Sequence, residues 1–351
     1  MRVNSFDVVV VGGGAAGLSG ALTLARARRS VLVLDSGEPR NAAAEGVRGF
    51  LSRDGMTPAD LIAAGAAEVI RYGGQVRAAC AVSARREGNG FVVGTADEQT
   101  VTASRLLVAT GLVDELPDIP GLRERWGHDV LGCPYCHGWE VRDRPIGVLN
   151  TGRLAVHQAL LFRQWSPDTT LFLHTGPQPS DDEWEQLAAC GIAVVDGEVT
   201  ALEVAADRLA GIRLASGHVI ARQALAVMPR FSARAEFLTE LGLPTVAHPT
   251  GLGTYLESDA TGLTAIPGVW AAGNVTDPTA QVVVAAAAGV TAAAAINADL
   301  IAADTHRAVE YRRDPFSGPS EALVSERVLG DRRHGLETPT ATATSDHRTR
   351  R

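Results

Sequence analysis

The stretch Phe6-Asp7-Val8-Val9-Val10-Val11-Gly12-Gly13-Gly14-Ala15-Ala16-Gly17 decides the fold. Phe6–Val11 is a β-branched run of the kind that makes a strand buried on both faces. It enters a glycine turn, after which Leu18–Arg29 has the alanine and leucine content of a helix. Ser30–Leu34 reads as a second buried strand and ends in Asp35. Strand, helix and strand close within the roughly 30 residues that such a unit needs.

G-x-G-x-x-G is weak evidence alone, but here it follows a strand, opens a helix and precedes an acid 23 residues on. That is the context of a dinucleotide site. Gly12 makes the tight turn, Gly14 lets backbone approach a pyrophosphate, and Gly17 permits close helix–strand packing. Ala15 and Ala16 complete the turn, the N-terminus of the helix after it offers unpaired N–H groups to phosphate oxygens, and Asp35 is placed to accept from a ribose hydroxyl. The bland alternative is a glycine-rich turn of an unrelated α/β protein, and the full context weighs against it.

Outward from this unit, Phe91–Thr95 and Leu106–Ala109 read as strands, the second running into Thr110-Gly111. The stretch Leu116–Gly121, with prolines at 117 and 120, looks like a crossing between domains. A second unit follows: strand Ile146–Leu149, turn Asn150-Thr151-Gly152, helix Leu154–Gln164 and strand Thr170–Leu173. Gly268–Ala272 is a late strand, and an alanine-rich helix covers about Val282–Ala303. The expected fold is therefore α/β, with two Rossmann-like βαβ nucleotide-binding domains, one inserted in the other. The expected boundaries are 1–117 with 250–313 for the outer domain and 118–249 for the inserted one. A C-terminal extension covers 314–351, and Thr338–Arg351 reads as a disordered end.

The 351 residues carry 32 basic and 40 acidic side chains, a net charge of −8. No basic field exists for a nucleic-acid backbone or an anionic membrane, so neither is expected as a partner. Every basic residue other than histidine is arginine, so lysine Schiff-base chemistry and a lysine-bearing phosphate loop are excluded. The apolar run Val282–Ile296 is expected to be too short and too weak to span a bilayer. The N-terminus shows no signal-peptide pattern, and a reducing, cytoplasmic compartment is expected.

Of four cysteines, Cys133 and Cys136 form Cys133-Pro134-Tyr135-Cys136-His137. Four readings compete. C-x-x-C-H is the c-type haem attachment pattern, but no export signal accompanies it. With His128 the cluster could supply four zinc ligands, although no second C-x-x-C is present, and no metal is expected. Two structural thiols are a third reading. The fourth, a redox dithiol, has the fullest physical case. Two intervening residues let the sulfurs meet in a turn that a proline stiffens. His137 can serve as acid and base in the range where thiols change protonation. Cys80 and Cys190 lack such company and are expected to be buried packing residues.

The glycine-turn unit, the C-x-x-C in an inserted second unit and the late segments Ala271-Ala272-Gly273-Asn274-Val275 and Gln281–Gly289 together resemble one family. It is the thioredoxin-reductase-like pyridine nucleotide–disulfide flavoproteins of low molecular weight, and the likeness covers about residues 5–313. The resemblance implies FAD as cofactor, with Gly12, Gly14, Gly17 and Asp35 on its ADP half. Arg40 and Asn41 would lie on the loop approaching the flavin, and Ala109, Thr110 and Gly111 at the family's A-T-G strand end. Gly273 and Asn274 would face the ribitol and phosphates, and Gln281 and Val282 would cap the ring. The family normally has Asp where this chain has Asn274. The same likeness implies that Cys136 is the flavin-proximal thiol and Cys133 the interchange thiol, and that the protein is a homodimer.

The pattern breaks at the second turn. Where family members with a working NADPH site have three glycines, this chain has Asn150-Thr151-Gly152. The two arginines that hold the 2′-phosphate are replaced by Thr175-Gly176 after His174. Losing both charge-assisted contacts costs roughly 1.5–3 kcal/mol each, so NAD(P)H is a doubtful reductant. His137 after the C-x-x-C is shared with the gliotoxin- and holomycin-type dithiol oxidases, a branch of the same family. The expected function is oxidation of a small-molecule dithiol to a disulfide, with O2 as acceptor. The alternatives are an NAD(P)H-dependent reductase of a thioredoxin-like protein and a non-catalytic redox-sensing flavoprotein.

Overall fold

The computed structural model describes residues 5–314 together with Gly318, Val324, Ser325 and Val328. The expected disordered end at Thr338–Arg351 lies outside the described residues. The chain forms two compact units, the first reaching to Asn297 and the second starting at Ala298.

The first unit is built on two main sheets, one mixed, with Gly90–Thr95 antiparallel to both its neighbours, and one all parallel. In one, strands run in the order Gln75–Ala78, Val31–Asp35, Ser5–Val11, Thr100–Val108, Gly90–Thr95, Ala81–Glu87, with Val269–Ala271 also pairing with Thr100–Val108. The central strand is buried because it is flanked on both edges, Val8–Val11 pairing in parallel with Val31–Leu34 and with Arg105–Val108. In the other sheet the order is Ala193–Val195, Thr169–Phe172, Ile146–Leu149, Ala224–Val227, Val130–Leu131, every pair parallel. Both sheets end their central strands at a turn into a helix, the place where open α/β sheets bind ligands.

Two antiparallel strands, Leu112–Glu115 and Arg230–Ala233, carry the chain out of the first sheet and back. A meander of Val199–Ala205, Arg208–Leu214 and Val219–Ile220 covers the second sheet, its Leu202, Leu209 and Ile212 joining Leu149, Phe172 and Leu225 in one core.

Several element bounds differ from expectation. The first helix spans Ala15–Arg26, starting three residues earlier, because Ala15, Ala16 and Gly17 form its first turn against the sheet. It stops where Arg28 turns left-handed at φ 64°. The helix Ala155–Phe162 is shorter than Leu154–Gln164, and the late strand is only Val269–Ala271. The helix Pro58–Arg71 has no counterpart in the expected elements; the Thr57 side chain caps it by accepting from the Asp60 N–H, and Pro58 takes its first position.

The largest departure is the last helix, Val282–Arg313, with 32 residues. Contrary to expectation, it is long and apolar enough to cross a membrane by length and composition. Its part within the first unit, residues 282–297, has another reason to be apolar. Ala285, Ala286, Ala292, Ala293 and Ile296 are buried. A Cβ on Gly289 would lie 1.9 Å from the carbonyl oxygen of Ala16, so this helix and the first one touch backbone to backbone. Small residues here are what that approach requires.

Candidate active site

The strand ends of the first unit open on a cavity of 1170 Å³. Gly12, Gly14, Ala15, Ala16, Asp35, Arg40, Asn41, Ala109, Thr110, Gly111, Asn274, Gln281 and Val282 lie on its wall, and so do Cys133, Cys136 and His137. Gly17 and Gly273 are not on the wall; they set the packing behind it. A Cβ on Gly17 would lie 1.8 Å from the Gly12 carbonyl oxygen, and one on Gly273, at φ 82°, would lie 2.8 Å from the Ala16 Cβ.

The wall suits a dinucleotide. Gly12 sits at φ 107° with no room for a side chain, while a Cβ on Gly14 would meet nothing within 4 Å. The first helix begins at this open point with no side-chain cap and no acid in its first turn. The last helix also starts on the wall, at Val282, with no acid in its first turn. Uncapped helix starts carry partial positive charge, which favours a pyrophosphate. Asp35 accepts the Gly13 N–H on Oδ1 at 3.0 Å, which holds its carboxylate at the cavity. These residues fit FAD.

Arg40 on the wall is paired with Asp114. Its guanidinium makes two bonds to Asp114, 2.8 and 2.7 Å, and stacks over Phe231 with 5.1 Å to the ring centroid. Asn274 uses its amide N–H groups on the carbonyls of Asp277 at 3.0 Å and Ala280 at 2.9 Å. It thereby ties down the loop that leads to Gln281.

Cys133 precedes the short helix Pro134–His137, and Cys136 is its third residue, so the turn brings both sulfurs to one end. Hydrogen bonding from the Cys136 thiol lowers the Cys133 pKa to about 7, against the opposing effect of burial. The N–H groups of Cys136 and Tyr135 and the charge of Arg40 add to that lowering. Cys136 is pushed up by the same bond and by burial. The pair therefore holds one thiolate, on Cys133, with Cys136 as its proton donor.

His137 is half-buried, and both of its ring nitrogens are buried without a hydrogen-bond partner. Burial lowers its pKa; the carboxylate of Glu140 opposes and the guanidinium of Arg48 assists. Arg48 and Glu140 are themselves paired at 3.1 Å. A neutral imidazole with open nitrogens beside the second cysteine is equipped to take a thiol proton.

One expectation is corrected. Cys80 and Cys190 are exposed rather than buried, and Cys80 lies on the cavity wall. Each sits in a connection, Cys80 between two strands and Cys190 at the end of the helix Asp181–Ala189, where no apolar face covers it.

The second turn is closed by its own side chains. Asn150, buried to 1% exposure, donates to the Pro177 carbonyl at 2.8 Å, and its Oδ1 accepts from the Gly152 N–H at 3.3 Å. Thr151 donates to the Met228 carbonyl at 2.8 Å. A Cβ on Gly176 would fall 2.1 Å from the Asn150 Oδ1, so that oxygen fills the space beside the next strand's exit. His174, at φ 46°, turns its Nδ1 to accept the Val199 N–H at 3.0 Å. The side chains of Asn150 and Thr151 thus occupy the turn and bond to other parts of the chain, and Arg153 follows them, exposed.

Two contributors had no motif to announce them. Gln158, on the helix Ala155–Phe162, donates to the carbonyl of Gly132, the residue before Cys133, at 3.0 Å. Trp165 meets Tyr135 edge to face, centroids 6.0 Å apart. Among the described residues no group of three or more His, Cys, Asp or Glu could hold a metal ion, and His128 does not join the cysteines in one.

Residues 6–289 match the family model described as pyridine nucleotide-disulphide oxidoreductase. The crystal structure of HlmI superposes with a TM-score of 0.84 at 46% identity, covering 89% of this chain and 98% of that one. Thioredoxin reductase sirT of Leptosphaeria maculans is 29% identical over 85% of this chain and 95% of its own. Thioredoxin reductase tcpT of Claviceps purpurea is 35% identical over 45% of this chain, a match that spans 50% of its own length.

Proposed function

The chain belongs to the pyridine nucleotide-disulphide oxidoreductase family, and within its thioredoxin-reductase-like group we propose that it is an FAD-dependent dithiol oxidase. The observation that carries this reading is the second turn, where Asn150 and Thr151 donate to the carbonyls of Pro177 and Met228 and His174 accepts the Val199 N–H. The likeness to HlmI and sirT supports the same branch. In this reading electrons enter from a thiol rather than from a pyridine nucleotide.

In this reading one substrate thiolate attacks the Cys133 sulfur of the Cys133–Cys136 disulfide, and Cys136 leaves. The second substrate thiolate then attacks the substrate sulfur of the mixed disulfide and expels Cys133. Cys133 is a good leaving group because its pKa is lowered to about 7. The substrate departs as a disulfide, and two electrons remain on the cysteine pair. Held by the residues of the large cavity, FAD would supply a two-electron acceptor for the pair, with O2 as the final oxidant and hydrogen peroxide as its product. Before the pair can give up its electrons, Cys136 must lose its proton, and its raised pKa makes a base necessary. His137, neutral and unpartnered, is that base. A homodimer in the cytoplasm completes the proposal.

Anaerobic mixing tests it. Dithiothreitol should bleach the flavin absorbance and air should restore it with release of peroxide, while micromolar NADPH leaves the spectrum unchanged. Bleaching by NADPH would overturn the oxidase in favour of a reductase that acts on a thioredoxin-like protein.

A further inference from the structure

Neither ring nitrogen of His137 has a hydrogen-bond partner, so the imidazole has no anchor of its own. The anchor lies three residues on. Glu140 donates its N–H to the His137 carbonyl at 3.1 Å, and its carboxylate meets the Arg48 guanidinium, also at 3.1 Å. Arg48 comes from the segment between the strand Val31–Asp35 and the helix Pro58–Arg71, in the part of the chain read as the outer domain. The Cys133–His137 turn belongs to the inserted part. We propose that Arg48 is a positioning residue of the oxidase site: by occupying Glu140 it clasps the reactive turn to the outer segment and keeps that carboxylate off the imidazole. For the direction in which the proton moves, this rests on the dithiol-oxidase reading.

The outer side of the clasp is held firmly. The Val47 N–H donates to the Met56 carbonyl and the Gly55 N–H to the Val47 carbonyl, both at 2.8 Å, which ties the chain beside Arg48 into a narrow neck. Gly55 sits at φ 84°, and a Cβ there would lie 3.3 Å from the Arg48 Nη1, so the guanidinium runs along that neck. The same segment leans on the inserted part again where a Cβ on Gly127 would lie 2.9 Å from the Ala43 Cβ. Of these two contacts only Arg48–Glu140 carries charge. Its side chains are 28% and 32% exposed, so the pair adds little to stability while its field still reaches the half-buried ring.

Charge gives the clasp its chemical role. Burial already favours the neutral imidazole; of the charges that act on it, Glu140 favours imidazolium and Arg48 opposes it. Arg40 acts on the two sulfurs, and His157, on the helix Ala155–Phe162, lines the same cavity. In the reduced pair the Cys136 thiol proton passes to a His137 ring nitrogen, leaving thiolate and imidazolium, and no electron moves in that step. An imidazole that is already protonated cannot take it. A Glu140 carboxylate without Arg48 would pair with the ring and hold it as imidazolium.

The test follows the acid limb of the pH profile for anaerobic flavin bleaching by saturating dithiothreitol, in the FAD-loaded full chain. Arg48→Met removes the guanidinium, and the limb should move to higher pH. The rate at about pH 6 relative to about pH 8 should then fall by about threefold or more. Glu140→Gln leaves the guanidinium alone beside the ring, and its limb should move to lower pH. Arg48→Lys keeps the charge and should bring the limb back towards the parent's. Melting temperatures should stay within about 3 °C of the parent's, because a partly exposed pair contributes little to folding. A clasp with a merely structural role would slow both variants at every pH. Limbs that stay put, or that move the same way in both variants, therefore overturn the proposal.

NMR of the same proteins labelled with carbon-13 at histidine Cε1 makes the comparison without turnover, the His137 signal being the one lost in His137→Gln. Its titration midpoint should rise in Arg48→Met and fall in Glu140→Gln. If dithiothreitol fails to bleach the flavin but the midpoints move in this way, the oxidase falls and the clasp stands. If the midpoints do not move, the clasp falls whatever the turnover.

Discussion

Gln158 and Gly132 are joined by a single hydrogen bond of 3.0 Å, from the Gln158 Nε2 to the carbonyl just before Cys133. Gln158 is buried to 1% exposure, on the helix that in a pyridine-nucleotide enzyme would serve the nucleotide. Here the same helix anchors the reactive turn. Gln158→Leu leaves the Gly132 carbonyl without that donor and should cost about 1–3 kcal/mol of stability, read by urea unfolding. Dithiol turnover should fall as well, because the Cys133 backbone loses its tether. A variant as stable and as fast as the parent would remove Gln158 from this role.

The low pKa of Cys133 depends first on the Cys136 thiol. Cys136→Ala removes that donor, so the Cys133 pKa should rise from about 7 towards its ordinary value. Alkylation of the reduced protein by iodoacetamide, followed against pH, measures it. In the parent the rate should climb through about pH 7, and in the variant the climb should come at higher pH. Because two interacting thiols titrate as a pair, the parent's curve belongs to both. Identical curves would mean that backbone N–H groups and Arg40 suffice.

His137 gives a pH dependence of opposite character. Burial lowers its pKa in the folded chain, so below the unfolded value of about 6.5 the unfolded chain binds more protons. Stability should therefore fall as pH drops through and below that value. His137→Gln removes the titration, and its melting temperature should decline less between neutral and mildly acid pH than the parent's. The same variant should slow transfer of electrons from the cysteine pair to the flavin by about 10²-fold or more, the usual weight of a proton-transfer group. Parallel melting curves and unchanged transfer would exclude His137 as base.

The first nucleotide turn was legible because its parts are local: strand, three glycines, helix and acid fall within residues 6–35. The cysteine pair was legible for the same reason. Gln158 and the Tyr135–Trp165 corner were not, since their partners lie 26 and 30 residues away and a lone glutamine or tryptophan carries no spacing signal. The second turn could be read as broken from Asn150 and Thr151, but not as sealed. Their acceptors, Pro177 and Met228, come from separate loops that only the folded sheet brings together. Cys80 was misjudged because burial depends on neighbours, and a connection between two strands gives it none.

Asn274 poses the sharpest question, because the resemblance implies Asp at its position. An aspartate could accept from a ribitol hydroxyl, but it has no N–H to offer the carbonyls of Asp277 and Ala280. In this chain Asn274→Asp would set a carboxylate against those oxygens and loosen the loop that delivers Gln281 and the start of the last helix. The exchange should therefore weaken FAD retention, by about 1–3 kcal/mol if both contacts are lost. Flavin fluorescence released on heating or on dilution measures this directly, with no turnover required. Tighter flavin binding in the variant would show that the negative charge matters more than the loop, and that Asn274 is a compromise in the site.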